Sequence, residues 1–401
     1  VDHRTLSLSV TPPYYASIAR TPGYPIFLAI LRFVGMGSIG WVRLAQFGLV
    51  GSTALVLYKI ACELGTEVTA RVAAVITLTY LPFLWFARMH LTETLSIALI
   101  SILMLLVVRT LHERPKSALW RFWAIGGLVG YLTLVRPSFM FVLLPVAAVL
   151  ILGTPLPCME AGRRLAALGV AFCLVLAPWV VRNYRVAHRF LPGGALSGVS
   201  LYVSAQQYAG KISPQFTVAD WDKFFADAER VTRLADGRST GAIPETPQDQ
   251  LVADEKFRRA AAREIRRVPV TKMLLRLPSR IAYLWSIADS PPPKHYYMWH
   301  LLGRIQYALL VGLSAIGFVS LARRRLDRRA VVSILIWPLY ITLVHLVFHV
   351  EARYSLPTRP AMMLLGAVGA VAVMARLRSR LARRQGGTRA ASMKLGGSED
   401  E

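Results

Sequence analysis

LTETLSIALISILMLLVVR, residues 91–109, decides the fold: after Glu93 no charge appears until Arg109. A run of roughly 16–21 mostly apolar residues can cross a hydrocarbon core about 30 Å thick. Lipid-exposed backbone must satisfy its own hydrogen bonds, so helix is the expected form. Working outward, similar runs occur near 44–61, 70–88, 120–135, 138–153, 165–182, 301–320, 330–349 and 358–375, with a shorter, interfacial or partly inserted stretch at 24–35. A mean hydropathy of +0.46 and 55% hydrophobic residues exclude an ordinary soluble globular protein. The expected fold class is an all-α polytopic membrane protein of about nine transmembrane helices with a small outer helical subdomain.

The formal charge of +25 does not point to nucleic acid. It sits in short loops between spans and in the tail, not on a soluble domain with interleaved aromatics. The cluster Arg323, Arg324, Arg325, Arg328 and Arg329, with the Arg-rich tail after Arg376, orients the chain by the positive-inside rule. The expected division is 1–43 outer loop and interfacial helix, 44–182 transmembrane helices, 183–300 outer subdomain, 301–375 transmembrane helices and 376–401 basic cytoplasmic tail. Val1 then begins outside, so a further helix is expected upstream. The expected location is the plasma (inner) membrane, multi-pass, with the site facing the periplasm or exterior. Cys62, Cys158 and Cys173 fall at the cytoplasmic side or within a span, and no disulfide is expected.

The segment 183–300 holds half of the chain's 22 acidic residues. An amphipathic helix is expected at 220–235, with Trp221, Phe224, Phe225, Ala228 and Val231 on one face, and another at 250–267. Pro269 opens a helical stretch through Trp285, and Ser290 to Pro293 breaks it. This length is too great for a simple connector.

Threaded this way, Arg20, Tyr24, Glu93, Arg136, Arg182, Asn183, Arg353 and Tyr354 all fall at the non-cytoplasmic end of their segments. Ionisable groups near a bilayer are costly unless solvated or paired, so such convergence suggests one polar site. Glu93 also suits a helix N-terminus through the dipole. Arg136 sits in a tight turn where snorkelling alone would account for it. Asn183, beside Arg182, is the only asparagine in the chain. Several arginines at one place suit a phosphate or pyrophosphate, whose oxygens a guanidinium matches in pairs. His345 and His349, four apart and near Glu351, could share a helical face toward a metal. The ligand set is incomplete, and packed or interfacial histidines are the expectation. No cofactor is required by the sequence and no metal residue is assigned; a divalent metal has no supporting residues.

The ordered motifs Arg20-Thr-Pro-Gly-Tyr-Pro25, Leu91-Thr-Glu93, Leu134-Val-Arg136-Pro137, Pro178-Trp179 to Arg182-Asn183, and Ala352-Arg353-Tyr354 to Pro357 resemble the GT-C superfamily of integral-membrane glycosyltransferases. The resemblance is to the branch of protein O-mannosyltransferases, lipid A aminoarabinose transferases and Rgt-type sugar transferases. It implies a polyprenyl-phosphate sugar donor at the outer membrane face, an acceptor glycan, lipid or protein, and inverting hexosyl transfer. Arg353 and Arg182, assisted by Arg20 and Arg136, would hold the donor phosphate. Glu93 would orient sugar or acceptor, and Tyr24, Asn183 and Tyr354 would line the substrate site. The family's aspartate base would lie upstream of Val1; Asp2 stands too close to Arg20 to take that role. A transporter or flippase of lipid-linked sugar would want polar groups on both faces or at mid-membrane. A non-catalytic scaffold or inactive fragment is the remaining alternative.

Overall fold

The computed structural model describes residues 15–112, 119–153, 157–215, 217–234, 237, 239–240, 244–287, 297–323 and 328–396. Among these the chain is α-helical with connecting turns and a single isolated bridge between Arg233 and Ser239. Its helices are α1 (Gly23–Phe33), α2 (Ile39–Leu64), α3 (Glu67–Thr79), α4 (Leu81–Ala87), α5 (Glu93–His112), α6 (Leu119–Val135), α7 (Leu143–Gly153), α8 (Cys158–Ala187), α9 (Ser197–Ala209), α10 (Val218–Thr232), α11 (Pro247–Arg267), α12 (Val270–Leu284), α13 (Tyr297–Arg323), α14 (Arg328–Val347) and α15 (Arg359–Gly396). Two 3-10 segments, Pro137–Val142 and Ala352–Thr358, precede α7 and α15.

The protein is an all-α polytopic membrane protein. Among the described residues, α2, α5, α8, α13 and the 352–382 stretch are each long and apolar enough to cross a bilayer. Helices α6 and α14, and the joined stretch Pro137–Gly153, are apolar but shorter. The expected single span at 70–88 is broken instead: α3 and α4 meet at Tyr80 with a 49° bend. Tyr80 has extended backbone, and Pro82, in the first turn of α4, lacks the amide that would continue the ladder. Gln306 of α13 repairs the break, accepting from Leu81 N at 2.9 Å and donating to Thr79 O at 2.9 Å.

The opening motif folds into α5, the most buried of the long helices. Apolar on every side, it has no face suited to water and packs against α2, α4, α6, α7, α14, α15 and the 352–358 turn. Its 20 residues rise about 30 Å. At its C-terminal end Arg109 pairs with Glu63 of α2 at 2.7 Å and takes a hydrogen bond on its carbonyl from Arg121. At its N-terminal end stands Glu93, so each end of the helix carries its own polar cluster.

Small residues let other helices close in. A Cβ on Gly369 would lie 1.9 Å from the Leu313 carbonyl oxygen, and one on Gly317 would lie 1.9 Å from that of Leu365, so α13 and α15 touch backbone to backbone. Gly126 does the same for α6 against Leu168 of α8.

Segment α9–α11 has its own apolar core around Tyr202, Phe224, Ala253 and Phe257. Thr217 with Asp220 forms a capping box on α10, and Thr246 caps α11. These helices and α12 fall close to their expected ranges, while α9 is an addition. Its start, Ser197-Gly198-Val199-Ser200, offers no local cap; Asp254 of α11 supplies one from outside, accepting from Gly198 N at 2.6 Å. The break expected at Ser290 to Pro293 and the loop residues Arg324 to Asp327 lie outside the described residues. Two boundaries also move. Helix α8 runs on to Ala187, so Arg182 and Asn183 belong to its last turns, because the next breaker is His188 at φ 51°. Helix α15 continues through the expected tail to Gly396.

Gly369→Val places two methyl groups where the Leu313 carbonyl already stands. Forced separation of α13 and α15 should cost about 1–3 kcal/mol, read as a lower melting temperature of the detergent-solubilised protein; an unchanged value would mean the close approach is dispensable.

Candidate functional site

Glu93 is the first residue of α5 and is 2% exposed. A carboxylate there gains from the helix dipole, but its burial requires cations from elsewhere. Two arrive from distant segments. Arg136, where α6 ends, places Nη1 3.7 Å from Glu93 Oε1, and Arg353 in the 352–358 turn places Nε 3.9 Å from the same oxygen. Neither is a hydrogen bond. Glu93 Oε2 and Arg136 Nη1 are buried without a hydrogen-bond partner among the described residues, so both retain bonding capacity for a ligand group.

Arg353 donates through Nε to Glu351 Oε2 at 2.5 Å, and its two terminal nitrogens make no hydrogen bond among the described residues. His345 stacks on the Tyr354 ring at 4.8 Å, and the Arg136 guanidinium sits 5.2 Å from the ring centre. The Tyr354 hydroxyl is 2.8 Å from His349 Nε2 and donates to Glu351 Oε1 at 3.1 Å. On the far side of the imidazole, Ser200 Oγ lies 2.7 Å from His349 Nδ1. Although burial pushes the Glu351 carboxyl up, His349 and Arg353 outweigh it and hold the group well below the usual carboxylate range.

The helical subdomain is clamped to this turn. Arg280 of α12, 1% exposed, donates to the His345 and Phe348 carbonyls at 3.0 and 2.8 Å, capping the C-terminal end of α14. It also donates to Gln207 Oε1 at 2.9 Å, which accepts from Val350 N at 3.1 Å. The Arg280 guanidinium lies 4.0 Å from the centre of the Tyr208 ring, whose hydroxyl donates to Leu346 O.

Glu93, Arg136, Arg353 and Tyr354, expected from the sequence, therefore meet. Tyr24 is close by: Gln46 donates to its hydroxyl at 2.7 Å and to the Leu91 carbonyl at 3.5 Å. Gly23 packs on the Leu134–Val135 backbone just before Arg136, where a Cβ would come within 2.5 Å. Arg182 and Asn183 stand apart from Glu93 in their contacts. Arg182 donates to Ser17 O at 2.7 Å and lies over Trp179, while Asn183, fully buried, donates to Leu191 O at 2.8 Å. They fasten the strap 15–22 and the end of α8. Arg20, on that strap, is exposed and makes no hydrogen bond among the described residues.

Spacing alone missed Ser200, Gln207 and Arg280, and named Glu351 only as a neighbour of the histidines. Glu351 adjoined a flagged motif, but the others lie in segments that carry no local signal. His345 and His349 do not form the shared helical face their spacing suggested, because α14 ends at Val347. His345 Nδ1 instead bonds the His349 carbonyl at 2.7 Å, and the second imidazole turns toward Ser200. Among the described residues no three His, Cys, Asp or Glu side chains gather in a metal-holding group.

No family model matches the chain, and no curated protein matches it. Solved structures show distant likeness. The Archaeoglobus fulgidus oligosaccharyltransferase, tethered with an acceptor peptide containing the NVT sequon, is 11% identical at a TM-score of 0.48, over 92% of this chain and 43% of that one. The chain thus spans less than half the length of that protein. ArnT from Cupriavidus metallidurans bound to undecaprenyl phosphate is 14% identical at a TM-score of 0.38, over 92% of this chain and 71% of that one. Its apo form gives a TM-score of 0.34 at 14% identity, over 90% and 70%. Likeness this remote carries no residue's role across, so roles follow from the geometry above.

Glu93→Ala removes a carboxylate that faces buried Arg136 and should destabilise the protein by about 3–5 kcal/mol. The double variant Glu93→Ala with Arg136→Met should lose clearly less than the sum of the single losses; additive losses in a double-mutant cycle would show that the two charges do not interact.

Glu351 has an ordinary value of 4.5 and a lower one when folded. Its contribution to stability is therefore full above pH 4.5 and is lost as pH falls below it. The stability gap between wild type and Glu351→Gln should be flat above that pH and shrink below it in thermal melts; a gap insensitive to acid would contradict the ion-pair assignment.

Proposed function

We propose that this protein is a GT-C-type glycosyltransferase that moves a sugar from a polyprenyl-phosphate donor to an acceptor at the outer membrane face. The observation that carries the reading is the half-buried Arg353 fork beside Arg136, whose Nη1 is buried and unbonded, at the polar end of an apolar bundle. A ligand that is anionic at the head and apolar behind suits such a boundary. The ordered motifs around Arg20, Glu93, Arg136, Arg182 and Arg353 agree with it.

In this reading Arg353 and Arg136 meet the donor phosphate, and Arg20 on the neighbouring strap and Arg182 at the end of α8 assist. As the anomeric carbon–oxygen bond breaks, negative charge grows on the departing phosphate. Guanidinium groups already fixed against Glu93, Glu351 and the Tyr354 ring need little reorganisation to stabilise it. Glu93, held at the α5 N-terminus with one free oxygen, accepts a hydroxyl of sugar or acceptor. Tyr24, Asn183 and Tyr354 line the approach. A single displacement inverts the anomeric centre. The site faces the periplasm or exterior of an inner membrane.

Arg353→Ala should reduce transfer of radiolabelled sugar from polyprenyl-phosphate donors by about 10²-fold or more, with membrane insertion unchanged by protease accessibility. Transfer near the wild-type rate would remove Arg353 from the site.

A further inference from the structure

Helix α12, VTKMLLRLPSRIAYL, has no acidic residue and turns one side to the protein, where Arg280 and Leu284 are buried. Hydrogen bonds fix its course along α14. Arg280 reaches the His345 and Phe348 carbonyls where α14 ends, and further on Trp285 Nε1 donates to Thr342 Oγ1 at 2.9 Å. Thr342 lies three residues, about 4.5 Å of helix, farther from that end than His345. Tyr307 of α13 donates to the Trp285 carbonyl, and Arg359, also bonded to Tyr80 at the α3–α4 break, donates to that of Ser286. The C-terminal end of α12 is therefore anchored among the apolar helices, deeper in the bundle than Arg280.

The opposite side of α12 is apolar and bare. Val270, Leu274 and Ile281 recur at helical spacing with Leu275 beside them, and Leu274 and Leu275 are 57% and 80% exposed. An open apolar face of this kind marks a contact surface. What covers it follows from the charge at the other end of the helix. Arg263, Arg266 and Arg267 stand in the last turns of α11 and Lys272 in the first turn of α12. All four are exposed, and none makes an ion pair among the described residues. A helix with an apolar side, a basic rim and an end set among membrane helices has the form of one lying in a lipid interface.

We propose that α12 lies obliquely in the leaflet at the polar end of the bundle. Its Val270–Leu274–Leu275–Ile281 side rests among acyl chains, and Arg266, Arg267 and Lys272 hold the headgroup of an anionic phospholipid. A second copy of the chain would bring the same basic rim against this one and is disfavoured by repulsion. A zwitterionic lipid would cover the apolar side but leave the cations without a net counter-charge. Lipid held here bears on the arginine site through Arg280, which sits on the same helix and fastens the carbonyls that precede Glu351.

The test uses the full chain in phosphatidylcholine proteoliposomes, with Cys62, Cys158 and Cys173 changed to serine. An NBD fluorophore is placed on Leu275→Cys or, as a control, on Glu255→Cys of α11; both side chains are exposed, so the label displaces no packing. Phosphatidylcholine with a nitroxide on its acyl chain should quench the probe at 275 and leave that at 255 bright. Nitroxide-labelled phosphatidylglycerol, added as a minor fraction, should quench position 275 with an about fivefold preference over the same fraction of labelled phosphatidylcholine. The triple variant Arg266→Gln, Arg267→Gln, Lys272→Gln should abolish that preference while quenching by bulk labelled phosphatidylcholine persists. A probe at 275 as bright as one at 255 overturns the membrane contact, whether water or a second copy covers the face. Quenching without headgroup preference, or a preference that survives the triple variant, overturns the anionic site. Neither readout involves sugar transfer, so the proposed function stands or falls separately.

Discussion

Burying one carboxylate at the edge of an apolar bundle constrains the rest of this molecule. Glu93 opens the most enclosed long helix, so water cannot solvate it, and an unpaired charge there would cost several kcal/mol. Its cations come from residues 43 and 260 positions away, at the end of α6 and in the turn before α15. Those segments must therefore meet α5 at the same level. Tyr354 helps set that level because its ring takes both the Arg136 guanidinium and a stacked His345. The pairs are loose, and looseness leaves nitrogen and oxygen atoms with bonding capacity where a ligand can use them.

A second buried charge joins the polar subdomain to this level. Arg280 satisfies carbonyls left open where α14 stops and shares Gln207 with the Val350 amide. These bonds hold the backbone on either side of His349, so α9 is placed over the imidazole rather than free to swing. Packing in the apolar layer is set by different means: Gly317, Gly369 and Gly126 allow backbones to touch, and Gln306 closes the break at Tyr80.

The proposed chemistry follows from the division of labour between these two clamps. Arginines anchored by Glu93 and Glu351 face the charge that grows on a phosphate. Across the same carboxylate, His349 lies between the Tyr354 hydroxyl and Ser200 on the subdomain. Glu351 thus serves both sides, anchoring a cation with one oxygen and orienting the Tyr354–His349 chain with the other.

Much of the fold was legible because bilayer physics acts on short stretches: apolar length marks spans, and caps such as Thr217 and Thr246 mark helix starts. The gathering of Glu93, Arg136 and Arg353 could also be anticipated, since charge parity along the chain placed them at one end. Other features depend on partners far away in sequence. Helix α9 begins where Asp254 caps it from another helix, and the 70–88 stretch breaks because Gln306 makes the break tolerable. The spacing of the histidines gives no shared helical face because a helix ends between His345 and His349. What the sequence by itself determined is which segments are apolar and helical and which charges stand at their ends, since hydrophobicity and charge are properties of local stretches. Which of those charges pair, and which way the His349 ring faces, only the tertiary structure decided, because hydrogen bonds are fixed by atoms brought together from residues hundreds of positions apart.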